Sequence, residues 1–320
     1  MKKKNYFELL ILIILGALTS FSLPPYNFFF INFVTFSFFF IILFKRKKIQ
    51  FKNKPFLYGW LFGFGYFLTN LYWISISLSF DENFKFLIPF TLILIPAFLA
   101  IFYGLITYIF FKINIKKPLS NLFLFVLLFG LVEFLRGTIL TGFPWNLIAF
   151  SFSNSLEIIQ VTSLIGTYAF NILCITFFTI PAIFILKENK KEFFISIIFL
   201  LLPFVLFFSG SNKIKSFQSL KVIKNDLVIR AVGSKINLDR FYGNVDSTTV
   251  IDELIELSDP VSSIKTLFLW PEGIIPNINQ NELKEFGYIF NQNFNENHLL
   301  VIGINSFRKD NNKDKFYNSF

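Results

Sequence analysis

Seven long apolar runs constrain this chain more than any other feature of its sequence. A helix that crosses a membrane needs about 20 mostly apolar residues, and runs of this kind fill most of the chain before residue 210. The predicted spans are 6–22, 27–44, 56–79, 87–111, 119–140, 157–186 and 193–210. The sequence therefore predicts a polytopic α-helical membrane bundle, a seven-helix transmembrane domain over residues 1–210.

The positively charged residues fall in alternate gaps between these apolar runs. This is the pattern of the positive-inside rule, so the N-terminus is predicted to lie in the cytoplasm and residues 211–320 on the other side of the membrane. The net charge of +10 therefore encodes topology, and a nucleic-acid partner is not expected. The clusters are Lys2–Lys4, Lys45–Lys48 with Lys52 and Lys54, Lys112 with Lys116 and Lys117, and Lys187 with Lys190 and Lys191.

Residues 211–320 have the pattern of an α/β domain. Short apolar runs predict strands, and residues 250–257 repeat their apolar positions with the spacing of a helix that buries one stripe. A second helix is predicted from about Gln280, because Asn279 and Glu282 have capping-box spacing. The predicted strands are 227–232, 266–270, 299–304 and one that begins near Phe316.

One carboxylate in this segment is placed as a catalytic base would be. Glu272 follows the strand that ends at Trp270, after Pro271, and ligands of α/β folds bind at the carboxyl ends of strands. Trp270 is expected to form an apolar wall beside it, close to substrate. The alternative is a solvated acid at a strand end.

A second group of residues lies near the end of the fifth predicted span. Glu133 and Arg136 are three residues apart on one helix face, and charges in a membrane are paired or functional. They form either a structural pair or a site where Arg136 meets a phospholipid phosphate. The run Gly142-Phe-Pro-Trp145 predicts a break into a re-entrant or interfacial turn, with Trp145 at headgroup level and close to lipid.

Cys174 is the only cysteine and His298 the only histidine. Neither a disulfide within the chain nor a Cys/His metal cluster is possible, and no metal is expected. Cys174 lies in the middle of a span and is predicted to pack in an apolar environment. An ordinary surface position is predicted for His298.

The chain resembles the apolipoprotein N-acyltransferase family over essentially its whole length. The resemblance rests on specific segments, of which Thr-Gly-Phe-Pro-Trp joined to a later Trp-Pro-Glu is the most distinctive. Gly273 stands where the family more often has a small hydroxyl residue. The segments are 63–73, 133–145, 228–237, Trp270–Glu272 and Tyr317–Ser319.

The resemblance implies a membrane bundle with an extracytoplasmic nitrilase-like α/β/β/α domain, here residues 211–320 and incomplete. It implies an inner-membrane enzyme that moves an acyl chain from a phospholipid to the α-amine of the N-terminal diacylglyceryl-cysteine of an apolipoprotein. Phosphatidylethanolamine is the expected donor, a thioester acyl-enzyme is the intermediate, and no cofactor is needed. Glu272 matches the general base of the family.

The family places its oxyanion lysine and its nucleophilic cysteine beyond the Tyr-Asn-Ser segment, and neither is present in this chain. A base without its nucleophile does not form an acyl-enzyme, so a C-terminally truncated and inactive chain is expected. The alternative is a non-catalytic membrane protein that binds lipid, or one half of a split enzyme. A transporter is disfavoured, because no internal repeat is visible and the charged pair lies near a span end.

Overall fold

A computed structural model describes residues 2–49, 54–220, 226–233, 245–275, 278–310 and 313–319. The chain forms two compact units, Met1–Leu220 and Lys221–Phe320. The division lies beyond the predicted boundary at 210, because the last helix of the first unit continues to Gln218.

All regular secondary structure in the described residues of the first unit is helical. Short 3-10 helices at Tyr72–Ser79, Glu82–Leu87 and Ile148–Phe152 connect the longer elements. The α-helices are α1 (Lys2–Ser20), α2 (Ile31–Lys48), α3 (Pro55–Asn70), α4 (Ile88–Lys112), α5 (Pro118–Thr138), α6 (Leu156–Ile159), α7 (Thr162–Thr179), α8 (Pro181–Leu186) and α9 (Lys190–Gln218).

Within the described residues, four helices are long and apolar enough to cross a membrane, and a fifth is added if one bent pair is a single span. The protein is therefore a multi-pass membrane protein, whereas the number seven stays a prediction. The shorter apolar helix Tyr6–Ser20 lies outside this count. The four spans are Glu82–Lys112, Pro118–Thr138, Thr162–Leu186 and Lys190–Gln218.

The predicted span 56–79 is not one straight helix. It bends by 46° between α3 and the 3-10 helix Tyr72–Ser79. Three serine hydroxyls in that 3-10 helix donate to carbonyl oxygens three residues earlier, each at 2.6 Å. Such bonds compete with regular α-helix geometry, so they favour the 3-10 helix that follows the bend.

Glycines allow the backbones of α1 and α3 to approach closely. A Cβ atom added to Gly16 would lie 1.9 Å from the carbonyl oxygen of Phe62, and one added to Gly65 would lie 2.1 Å from that of Ile13. No larger residue fits these positions. Small residues at helix contacts are the usual means of close packing in membranes.

The second unit contains a three-stranded parallel sheet in the order β1-β2-β3, with β2 in the centre. Thr266 of β2 pairs with Val228 of β1 and with His298 of β3. An antiparallel hairpin follows the sheet. The elements are β1 (Val228–Ala231), α10 (Ser247–Ser258), β2 (Thr266–Trp270), a 3-10 helix (Glu282–Phe286), α11 (Gly287–Asn293), β3 (His298–Ile302), β4 (Ile304–Asp310) and β5 (Lys313–Ser319).

The predicted elements of this unit are confirmed within small shifts. The stripe Val250, Ile251, Leu254 and Ile255 is buried and belongs to the same core as Phe268. The predicted strand 299–304 is divided at Gly303 into the end of β3 and the start of β4. An α/β unit is therefore present, and its nitrilase-like character stays a prediction.

Candidate functional site

Glu272 lies where the sequence placed it, just after the carboxyl end of the central parallel strand. Its side chain is exposed, so the carboxylate is accessible from solvent. Pro271 precedes it, and Gly273 has a φ of +61°, a conformation that glycine adopts without strain. The turn thus carries an acid out of a buried strand onto the edge where ligands of parallel sheets bind.

The backbone of Glu272 packs directly against the junction of β3 and β4. The amide of Gly273 donates to the carbonyl oxygen of Gly303 at 3.2 Å. A Cβ atom on Gly303 would lie 2.5 Å from the Cα atom of Glu272 and 2.8 Å from its nitrogen. The glycine therefore permits a close approach that fixes the backbone of the candidate base.

Trp270 is a core residue in this structure. Its side chain is buried, its ring lies 5.9 Å from that of Phe290, and its indole N–H donates to the hydroxyl of Ser258 at 2.9 Å. These contacts hold β2 against α10 through Ser258 and against α11 through Phe290. They favour a packing role for Trp270 over the predicted wall beside substrate.

Glu133 and Arg136 form the predicted pair inside the first unit, and both side chains have no exposed surface. Arg136 Nε donates to Glu133 at 3.2 Å, and its Nη2 atom makes a second contact with the same carboxylate. Its Nη1 atom donates to the carbonyl oxygens of Phe143 at 2.6 Å and Trp145 at 2.9 Å. The guanidinium is thus bound within the chain, which favours the structural pair over direct contact with a lipid phosphate.

The segment after α5 forms the predicted turn. Leu140, Thr141, Gly142 and Asn146 have positive φ angles, so the helix cannot continue. The two hydrogen bonds from Arg136 to backbone carbonyls hold the turn in place. The side chain of Trp145 remains exposed. That ring stacks on Trp73 with centroids 5.2 Å apart.

Two further polar contacts around this turn have no signal in the sequence. Tyr66 of α3 is fully buried and donates from its hydroxyl to the carbonyl oxygen of Asn146 at 2.7 Å. The side chain of Asn146 in turn donates to that of Asn70. The turn is therefore fixed to α3 as well as to α5.

The single cysteine and the single histidine lie in different units. Cys174 is fully buried in the core of the first unit, as predicted. The prediction of a surface His298 was wrong, because its ring is buried at the start of β3. Its Nε2 atom lies 3.0 Å from the carbonyl oxygen of Val261, and Nδ1 accepts from the Asn295 amide at 3.2 Å.

A sequence model of the apolipoprotein N-acyltransferase N-terminal domain matches residues 15–180. Curated relatives named apolipoprotein N-acyltransferase are also similar to this chain. The one from Rickettsia prowazekii (strain Madrid E) is 30% identical over 323 positions, covering 98% of this chain and 62% of the relative. The one from Brucella melitensis biotype 1 is 28% identical over 268 residues, which cover 82% of this chain and 50% of the relative.

The chain therefore spans about half of the Brucella relative's length, and the whole enzyme's activity is not transferred to it by similarity alone. The domain match nevertheless extends over half of the chain, and its last matched residues lie beyond Glu133, Arg136 and Trp145. The similarity to the Rickettsia relative extends over nearly the whole chain, Glu272 included. This chain belongs to the apolipoprotein N-acyltransferase family.

Proposed function

We propose that this chain carries the base-bearing part of an apolipoprotein N-acyltransferase. The reaction moves an acyl chain from a phospholipid, with phosphatidylethanolamine as donor, to the α-amine of an N-terminal diacylglyceryl-cysteine of an apolipoprotein. The main support is the position of Glu272, which is an exposed acid directly after the central parallel strand in a chain of this family.

Glu272 is assigned the role of general base. It takes the proton of a cysteine thiol, and the thiolate attacks the ester carbonyl of the phospholipid. The ester bond breaks, which gives a thioester and a lysophospholipid. The α-amine of the apolipoprotein then attacks the thioester, forms an amide and releases the thiol.

The proposal assigns the nucleophile and the oxyanion lysine to residues outside these 320. Cys174 is the only cysteine of the sequence. Its side chain is fully buried in the apolar core of the first unit, so it is not accessible to the ester of a phospholipid. Residues 1–320 alone are expected to form no thioester.

The membrane unit is assigned the task of presenting the lipid donor. Trp73 and Trp145 form an exposed stacked pair beside the turn held by Arg136, and exposed tryptophans favour the headgroup region of a bilayer. We place the enzyme in the bacterial inner membrane, with its N-terminus in the cytoplasm and residues 211–320 in the periplasm.

A chimera tests the proposal. Residues 1–320 are joined to the C-terminal segment of the Rickettsia prowazekii relative, chosen to include a lysine and a cysteine, and incubated with phosphatidylethanolamine labelled in its acyl chain. The chimera is expected to form a labelled thioester and pass the label to a diacylglyceryl peptide, whereas residues 1–320 alone form none.

Glu272→Gln in the chimera is expected to lower the rate of thioester formation by roughly 10²–10⁴-fold, the usual contribution of a general base. Glu285→Gln is the control, because Glu285 is an exposed acid of the same unit. An inactive chimera, in an assay where the relative itself is active, would contradict the proposal. Equal rates in the two variants would remove Glu272 from the mechanism.

A further inference from the structure

A cavity of about 450 Å³ opens beside the basic end of α2. Its lining combines three cations with one carboxylate and two isoleucines. The helix α2 ends in four consecutive cations. Such a cluster can set the orientation of the chain in the membrane, and it can also form a binding site. The lining residues are Glu8, Ile42, Lys45, Arg46, Lys48 and Ile49.

The two central cations of this run have partners inside the protein. Arg46 donates from Nε to Glu8 of α1 at 2.7 Å, and both side chains are about four-fifths buried. Lys47 donates to the side chain of Asn121 at 2.6 Å and lies over the ring of Phe110. Arg46 compensates the charge of Glu8, so this carboxylate does not repel an anion in the cavity.

The two outer cations remain available. Lys45 is exposed, and its side chain makes no hydrogen bond or ion pair with another residue in the described part of the chain. Lys48 lies 3.5 Å from Glu188, but both side chains are largely exposed, and such pairs contribute little. The cavity thus has two exposed positive charges, Lys45 and Lys48, next to the ion pair of Arg46 and Glu8, whose charges cancel.

The two isoleucines of the cavity lie on the same face of α2 as Lys45. Ile42, Lys45, Arg46 and Ile49 follow one another with the i, i+3, i+4, i+7 spacing of a single helix face. Ile42 lies toward the apolar body of α2, and the cations lie at its end. A ligand with an anionic group attached to hydrocarbon matches this order, whereas a free anion does not use the isoleucines.

We propose that this cavity binds the phosphate group of an anionic phospholipid, with the acyl chains running along Ile42 into the bilayer. Basic cavities at the ends of membrane helices are suited to such headgroups, since each lysine near an anionic lipid adds attraction. The site lies on the side of the lysine clusters and is independent of the acyl-transfer proposal.

Native mass spectrometry of the purified full chain tests this site with phosphatidylglycerol and phosphatidylcholine as probes. The double variant Lys45→Gln/Lys48→Gln is expected to weaken the binding of phosphatidylglycerol roughly tenfold, with no change for phosphatidylcholine. The matched control is Lys116→Gln/Lys117→Gln, which removes two exposed lysines outside the cavity and is expected to change binding less than about twofold.

Inorganic phosphate distinguishes a lipid site from a simple anion site. It is expected to leave the bound phosphatidylglycerol in place, because it lacks the hydrocarbon that contacts Ile42. Equal losses in the two double variants would reduce the effect to general surface charge and overturn the proposal. Displacement of the lipid by inorganic phosphate would overturn the assignment of a phospholipid.

Discussion

The two units of this protein bury their apolar residues in opposite ways. In the membrane unit, α4 exposes Phe90 and Leu94 while it buries Phe110. In the second unit, α10 buries Leu254 and turns Asp252 to solvent. Hydrocarbon outside a helix removes the need for a polar face, whereas water imposes one. The residues on the outer surface of the helices therefore indicate the environment of each unit.

Charged pairs follow the same difference. Glu133 and Arg136 are fully buried in the first unit, where the low local dielectric makes an unpaired charge costly. Arg230 and Asp259 of the second unit are 3.5 Å apart and partly to largely exposed. The same kind of interaction is expected to be essential in one unit and nearly neutral in the other.

The largest expected effect on stability comes from removing one member of the buried pair. Glu133→Gln leaves Arg136 as an uncompensated buried charge, so unfolding of the first unit is expected to become easier by about 3–5 kcal/mol. Unfolding in detergent, followed by tryptophan fluorescence, measures this change. Asp259→Asn is the control and is expected to change stability by less than about 1 kcal/mol. Similar losses of stability, each measured in the unit that carries the substitution, would mean that burial does not distinguish the two ion pairs.

A smaller effect is expected at the glycine that supports the candidate base. Gly303→Ala forces a Cβ atom against the backbone of Glu272, and overpacking of this kind costs about 1–3 kcal/mol. Gly287→Ala is the control, because its Cβ atom would meet no atom within 4 Å. Thermal unfolding followed by the fluorescence of Trp270, in a background with Trp60→Phe, Trp73→Phe and Trp145→Phe, separates the two. A neutral Gly303→Ala would mean that this contact does not fix the site.

The smallest effect is expected at the capping box of the second unit. Asn279 accepts from the Glu282 amide at 3.3 Å, and Glu282 accepts from the Asn279 amide at 2.7 Å. Asn279→Ala is expected to cost about 1 kcal/mol, measured by denaturant unfolding. The side chain of Asn281 makes no capping hydrogen bond. The substitution Asn281→Ala is therefore expected to change stability by less than about 0.5 kcal/mol. A cost as large for Asn281 would refute the capping role.

Local patterns account for what the sequence predicted correctly. The stripe from Val250 to Ile255 and the capping pair Asn279 and Glu282 depend on residues a few positions apart, which the sequence displays directly. The position of Glu272 follows from an apolar run that ends in Trp-Pro. These features are properties of single elements.

Contacts between elements account for what the sequence did not reveal. Every residue from Leu267 to Trp270 is apolar, so no alternation shows that Trp270 faces α10. His298 looked exposed because it follows a polar run, yet its ring is buried beside the rings of Phe268 and Phe294. The bond from Tyr66 to Asn146 joins residues 80 positions apart, and only packing brings them together.

Glu272 is proposed to lie in a water-facing compartment across the membrane from the lysine clusters. Glu272→Cys is treated with a membrane-impermeant thiol reagent in spheroplasts, with Lys116→Cys as the control, and Cys174 gives no background because it is buried. Position 272 is predicted to react before lysis and position 116 only after it. Reaction of position 272 only after lysis would place the acid on the cytoplasmic side and contradict its role in acyl transfer.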